Sequence, residues 1–203
     1  MKLKICTYLS AILLLAIACE KEPERMQDIF LEFATVVNTS SRTVFKLDNN
    51  RLLVPNDNKD YRVEEGKRVI INYTPLQDDV VIVNQVSSIF TGEIKESKDV
   101  ETVEKDPVKI QSIWVAGGYL NMILEIEYYE KAHKIDLLRN SGESASDLYF
   151  AHSRNGDPPG YAKKLYASFS LAALKSAGNP VDKFKLHIRT LDGERVMEFV
   201  APR

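Results

Sequence analysis

From residue 28 onward, apolar and polar positions alternate with a period of two, the signature of half-buried β-strands. Ile29, Leu31, Phe33, Thr35 and Val37 line one face of a first strand, with Glu32, Ala34 and Val36 on the other. Phe45 and Leu47 continue the pattern up to the turn Asp48-Asn49-Asn50. Leu52 to Val54 stops at Pro55, and Asn56-Asp57-Asn58-Lys59-Asp60 reads as a loop. Val69, Ile71 and Tyr73 alternate again, and a long apolar strand runs from Val80 through Val86 to Ile89 and Phe90. Five short strands with no helix of useful length predict a small closed β-barrel over residues 28–94. Closure removes the strand edges that would otherwise invite aggregation.

Residues 95–106 break the rhythm, with charged side chains dominant and only Val100 and Val103 apolar, and read as a linker or short surface segment. Pro107 then opens a second β-rich region over 107–203. Leu120, Met122, Leu124, Ile126 and Tyr128 alternate cleanly, and Glu130-Lys131-Ala132 before Ile135 and Leu137 suggests a hairpin. Further strands are marked by Leu148 and Phe150, and by Leu165, Ala167, Phe169 and Leu171. Phe184, Leu186 and Ile188, then Val196 to Val200, flank Asp192-Gly193, a strong hairpin signal. The expected architecture is an antiparallel β-sandwich. The one candidate helix, Ser170 to Ala177, ends at Gly178-Asn179-Pro180. The fold class is therefore all-β, an OB-like small barrel followed by a sandwich.

The N-terminus changes the picture from fold to address. Met1-Lys2-Leu3-Lys4 is a cationic start, and Ile5 to Ala18 is an apolar run shorter than the roughly 20 residues that span a bilayer. Residues 1–18 thus read as a signal peptide. Ala16-Ile17-Ala18-Cys19 matches a bacterial lipobox, with Ala16 standing where Leu is commonest. Cleavage would remove Cys6 and leave Cys19 as a lone thiol, a leftover that acylation explains. The charged stretch Glu20 to Arg25 suits a solvated tether, which with the lipidated Cys19 spans residues 19–27. The chain then meets a lipid bilayer through acylated Cys19, as an outer-membrane lipoprotein facing either the periplasm or the cell surface. Loss of Lys2 and Lys4 takes the formal charge from −2 to −4, which argues against a nucleic-acid partner.

Several pieces together resemble the NigD-like lipoproteins, a family with an N-terminal OB-type barrel and a C-terminal β-sandwich. They are Phe33 to Asn38, Phe45 to Asp48 and Gly66 to Tyr73 in the first half. In the second half they are Asp106 to Ile110, Ile113-Trp114, Tyr119 to Asn121, His152, and Ser168 to Leu171. Ser170 departs from the acid usual at that place. The resemblance implies fold and address, and through the family's bacteriocin-associated name a role in immunity, but no activity.

Chemistry is sparse. The three histidines, His133, His152 and His187, lack the close spacing of zinc ligands, so no metal or cofactor is expected. His133, beside a turn, and His187, between Lys185 and Arg189 on its own face, read as surface residues, whereas His152 shares the core parity of Leu148 and Phe150. His152, Arg154 and Asp157 in the loop His152 to Gly160 are candidate ligand-binding residues, although Asn-Gly and Pro-Pro-Gly are also ordinary turn formers. Tyr61, Tyr73 and Tyr166 are candidate stacking platforms, and Trp114 is either a core anchor or part of a ligand surface. No Gly-x-Ser-x-Gly, Walker or His-Glu-x-x-His motif occurs. The expected function is a non-enzymatic binding module for a glycan or protein ligand. An immunity or inhibitor protein is the alternative, and a hydrolase using the His152 loop the third reading.

Overall fold

The computed structural model describes residues 28–141, 146–175 and 181–202. The expected signal peptide, Cys19 and the tether to residue 27 lie outside the described residues. No described helix is long and apolar enough to cross a membrane.

The first five strands are β1 (Phe30–Asn38), β2 (Thr43–Leu47), β3 (Leu52–Pro55), β4 (Arg68–Pro75) and β5 (Val80–Ser88). They close into a barrel in the order β1-β2-β3-β5-β4, because β1 pairs with β2 along one edge and with β4 along the other. The interior holds Ala34, Val36, Phe45, Leu47, Leu53, Val69, Ile71, Tyr73 and Val81. On β1 the small residues Ala34 and Val36 therefore face inward, and the bulkier Leu31 and Phe33 face out, continuing the parity of Ile29 just before the strand. A five-stranded barrel has little room on its axis, so the small residues of β1 leave space there for large ones such as Phe45 and Tyr73 from other strands.

A single residue, Ile89, separates β5 from β6 (Phe90–Ser97), which already belongs to the second half. The long strand expected from Val80 to Phe90 is thus cut by the passage from barrel to sandwich. The remaining strands are β7 (Lys109–Ala116), β8 (Tyr119–Tyr128), β9 (Lys134–Asn140), β10 (Asp147–Ser153), β11 (Tyr161–Ser170), β12 (Lys183–Thr190) and β13 (Gly193–Val200). The predicted helix is one turn, α1 (Ala172–Lys175), and residues 176–180 lie outside the described ones.

Strands β6 to β13 form one continuous sheet in the order β13-β12-β10-β9-β6-β11-β8-β7. The sheet doubles over at β6, whose residues 90–93 pair with β11 and residues 94–97 with β9. The rings of Phe150 and Phe169, on strands that are not neighbours in the sheet, consequently meet at 6.2 Å across the core. At the bend Gly92 lies so near the rings of Phe169 and Phe90 that a Cβ would come within 2.9 Å of both. Leu120, Met122, Leu124, Leu137, Leu148, Phe169, Phe184 and Leu186 fill the space between the layers.

Three expectations change here. The sandwich is mixed rather than purely antiparallel, since β6 runs parallel to β9 and β11, and β10 parallel to β12. Parallel neighbours arise because the chain crosses between layers instead of turning straight back. Glu130-Lys131-Ala132 accordingly makes no hairpin: β8 pairs with β7 and β11, β9 with β10 and β6, and the turn is a corner between layers. Nor is the charged run 95–106 a free linker. Lys95 and Glu96 sit in β6, where they pair across the ladder with Asp136 at 2.5 Å and Arg139 at 2.7 Å. Val100 and Val103 then pack with Leu138, Ala151 and Tyr149 against the sheet.

Barrel and sandwich are joined through Arg68 at the start of β4. Only 1% exposed, its guanidinium donates to both oxygens of Asp48 at 2.7 and 3.1 Å and to Thr35 Oγ1 at 3.1 Å, all within the barrel. It also donates to Asn121 Oδ1 at 2.9 Å and Ser168 Oγ at 3.4 Å, and lies 4.5 Å from the ring centroid of Tyr119, all within the sandwich. Asn121 Nδ2 donates back to Asp48 at 3.1 Å, and Gly117 leaves no space for a Cβ beside the Asp48 carboxylate. Replacing one partner of such a pair strands the other charge in a dry place. Asp48→Ala is therefore expected to lower the unfolding free energy by about 3–5 kcal/mol, read by urea denaturation.

Candidate functional site

The outward row on β1 builds the most exposed apolar feature near a cavity. Phe33, the inner end of that row, is buried edge-on against Trp114 of β7 at 5.0 Å and lies 6.3 Å from Tyr166 of β11. Leu31 and Ile29 continue the row past the joint into solvent, 60% and 66% exposed. Leu31 divides two hollows between the domains. One, of about 180 Å³, is walled by Ile70, Asn72, Gln85, Ser87, Ile89 and Tyr166. The other, of about 360 Å³, is walled by Phe33, Asp48, Asn49, Trp114 and Ala116. Together they make a crevice with an aromatic floor, an apolar ridge and walls of amides and hydroxyls. Aromatic and aliphatic groups beside a pocket are the usual anchors of a protein contact.

Trp114 therefore belongs to the joint and the crevice rather than to the sandwich interior, and Tyr166 accompanies it. Leu31, Phe33, Ile70 and Ile89 complete the site and were not apparent as site residues in the sequence. Period-two alternation marks Leu31 and Phe33 as one face, but only the second domain makes that face the wall of a crevice.

Tyr61 and Tyr73 are placed elsewhere. Tyr61 packs edge-on to Phe45 at 5.4 Å on the barrel core and donates to Asp57 at 2.7 Å. Tyr73 is buried in the barrel, stacked on Phe30 at 5.6 Å and donating to Glu32 at 2.5 Å. Burial, and then these carboxylate bonds, push both phenols above their ordinary values. Neither ring is an open platform.

His152, Arg154 and Asp157 do come together, around a residue read as exposed. The His133 side chain is buried, its Nδ1 2.9 Å from His152 Nε2 and its Nε2 3.2 Å from Asp157 Oδ2. His152, 2% exposed, reaches the carbonyl of Asp106 through Nδ1 at 3.0 Å. Asp157 accepts the backbone N–H groups of Tyr129, Glu130 and Lys131 at 2.8, 3.1 and 3.0 Å, which holds the corner after β8. Burial would raise its carboxyl, but those three donors and His133 hold it well below the usual carboxylate range. His152 is held below the ordinary imidazole value, first by burial. Arg154 donates its N–H to the Asp106 carboxylate at 2.7 Å and its guanidinium to Glu127 at 2.8 Å. The cluster is thus occupied by its own contacts and braces a corner. His187, also expected on the surface, is only part-exposed, stacked on Tyr149 at 4.5 Å and bonded to Asp147 at 3.0 Å. Among the described residues no group of three or more acidic, histidine or cysteine side chains is arranged to hold a metal ion.

Two family models match the chain. The NigD-like N-terminal OB domain covers residues 33–91, and the NigD-like C-terminal beta sandwich domain covers 91–200. The chain belongs to the NigD-like family. The two models meet at residue 91, within β6 and beside Ile89, where the chain passes from barrel to sandwich. Among solved structures, a protein described as toxin-related from Parabacteroides distasonis is 25% identical with a TM-score of 0.75, matching 85% of this chain and 92% of its own. A NigD-like immunity protein from Bacteroides caccae is also 25% identical, with a TM-score of 0.64 over 86% of this chain and 93% of its own. A protein described as a lipoprotein from Bacteroides fragilis shares the fold at 10% identity, TM-score 0.68, over 87% of this chain and 99% of its own. Comparison with curated proteins yields no match.

Trp114 is the only tryptophan, so its emission reports directly on the joint. Phe33→Ala removes the ring packed on it and is expected to shift the emission to the red. The same change should cost about 3 kcal/mol in denaturant unfolding, as for a largely buried aromatic side chain.

Proposed function

We propose that this NigD-like chain is a membrane-anchored, extracytoplasmic lipoprotein, acylated at Cys19, that works without catalysis by binding a protein ligand in the crevice between barrel and sandwich. The observation that carries the reading is the exposed ridge of Ile29 and Leu31 running between two hollows onto Trp114 and Tyr166. The residues best suited to acid–base chemistry point the same way. His133, His152 and Asp157 spend their heteroatoms on one another and on the backbone, which suits bracing better than turnover. Ile29 follows Cys19 by ten residues. At full extension the crevice then stands within about 35 Å of the outer-membrane lipid surface, whether it faces the periplasm or the cell exterior. The amide and hydroxyl wall of Asn72, Gln85 and Ser87 keeps a glycan as the alternative ligand.

An immunity role is the more specific form of this reading. The neighbours described as an immunity protein and as toxin-related, each 25% identical over most of both chains, favour it. The ligand would then be a secreted protein toxin.

A photo-crosslinking amino acid at position 31 in whole cells is expected to capture a protein, whereas one at the exposed Val196 of β13 is not. Binding to a glycan array with no crosslinked protein would select the glycan instead. A strain lacking the gene should become sensitive to the secreted fraction of neighbouring strains, and the wild-type gene but not Leu31→Glu should restore resistance. Leu31 is exposed, so that substitution should change stability by no more than about 0.5 kcal/mol.

A further inference from the structure

His133 and His152 lie in a line of contacts whose two ends are both acceptors. At one end the carbonyl of Asp106 accepts, so His152 Nδ1 carries a proton. At the other, Asp157 is an ionised carboxylate already taking three backbone donors, so His133 Nε2 carries a proton toward Asp157. Between them His133 Nδ1 and His152 Nε2 stand 2.9 Å apart, a distance that needs one proton. The line is complete with three protons on two rings. Two neutral imidazoles carry only two, and would leave lone pairs facing each other, facing the carboxylate or facing the Asp106 carbonyl, in a dry place.

We propose that His133 and His152 share one extra proton, and that this buried imidazolium latches the 98–106 crossover segment to the corner after β8. The latch works because each end belongs to a different piece of chain. Asp106 bonds His152 through its carbonyl, its N–H donates to the His152 carbonyl at 2.8 Å, and its carboxylate takes the Arg154 N–H. Asp157 gathers the three N–H groups of residues 129–131.

The surroundings fix the direction of the response. From the crossover, Asp106 favours the positive charge. From β10 and its loop, Arg154 opposes it but is paired with Glu127 of β8, while Asp157 supports it directly. From the corner, Lys131 turns its ammonium to the Gly156 carbonyl, and the Tyr128 ring lies 5.7 Å from His133 with Lys163 over its face. A second extra proton is resisted, because it would set two N–H groups against each other, whereas burial disfavours charge on His152 whichever proton carries it. The two protons therefore separate. The shared one binds more tightly than to unfolded imidazole, and its stabilisation is full below about pH 6.5 and lost as pH rises. The second binds more weakly, so stabilisation is full above about pH 6.5 and lost as pH falls, with Asp157 adding to the loss at stronger acidity.

The test uses the unsubstituted folded chain. Imidazole nitrogen NMR at pH 6.5 should show one proton-sharing pair with three ring N–H groups, persisting above the pH at which free imidazole is neutral. Hydrogen exchange at the Asp106, Tyr129, Glu130 and Lys131 amides, corrected for intrinsic rates, should be slowest near pH 6.5. It should quicken by up to about tenfold per pH unit on either side, the slope of a one-proton linkage. His133→Gln should abolish the alkaline limb. Two rings titrating independently near about 6.5, or the same two-limbed profile in His133→Gln, would overturn the latch. If that variant does not fold, the nitrogen spectrum of the wild type decides alone.

Discussion

A guanidinium is charged at every physiological pH, and Arg68, only 1% exposed, is sealed between two β domains. Burying a charge that way is tolerable only when most of its donors are met. Here Asp48 neutralises it, while Thr35, Asn121 and Ser168 take hydrogen bonds from one domain or the other. The consequence is directional. Apolar faces alone would let barrel and sandwich slide, but a fork of fixed geometry has one good seat. Asn121, which both accepts from Arg68 and donates to Asp48, ties the sandwich to that seat. The crevice along Leu31 inherits its shape from this joint, since its walls come from β1, β4 and β5 on one side and β7 and β11 on the other.

Polar chemistry in this protein is spent on architecture. Arg68 and Asp48 orient two domains, and Asp157 with the paired histidines closes a corner where the chain changes layers. Beside the joint, the β1 row leaves Leu31 open to solvent between two hollows. Saturated polar clusters inside thus stand beside an exposed apolar ridge outside, a division on which the proposed binding role rests.

The pieces of sequence that carried the family resemblance have a physical meaning in the joint. Phe33, Thr35, Asp48, Arg68, Trp114, Tyr119, Asn121 and Ser168 lie in fragments scattered over more than half the chain. They nonetheless meet in one place through the ring contacts and hydrogen bonds around Arg68. Read along the chain, each fragment looks like an ordinary strand with a turn beside it. Arg68 in particular stands before an apolar run, and nothing nearby in sequence announces the partners that bury it.

What the sequence by itself determined is local: period-two alternation and turn residues specified an all-β protein in two parts. These are properties of neighbouring residues, and neighbours suffice to encode them. Strand partners, the doubling of the sheet at Gly92, the corner at Glu130 and the meeting of His133 with His152 were decided only in three dimensions. Each depends on groups brought together from distant segments, where packing space and the need to satisfy every buried donor choose among arrangements that the same local pattern allows.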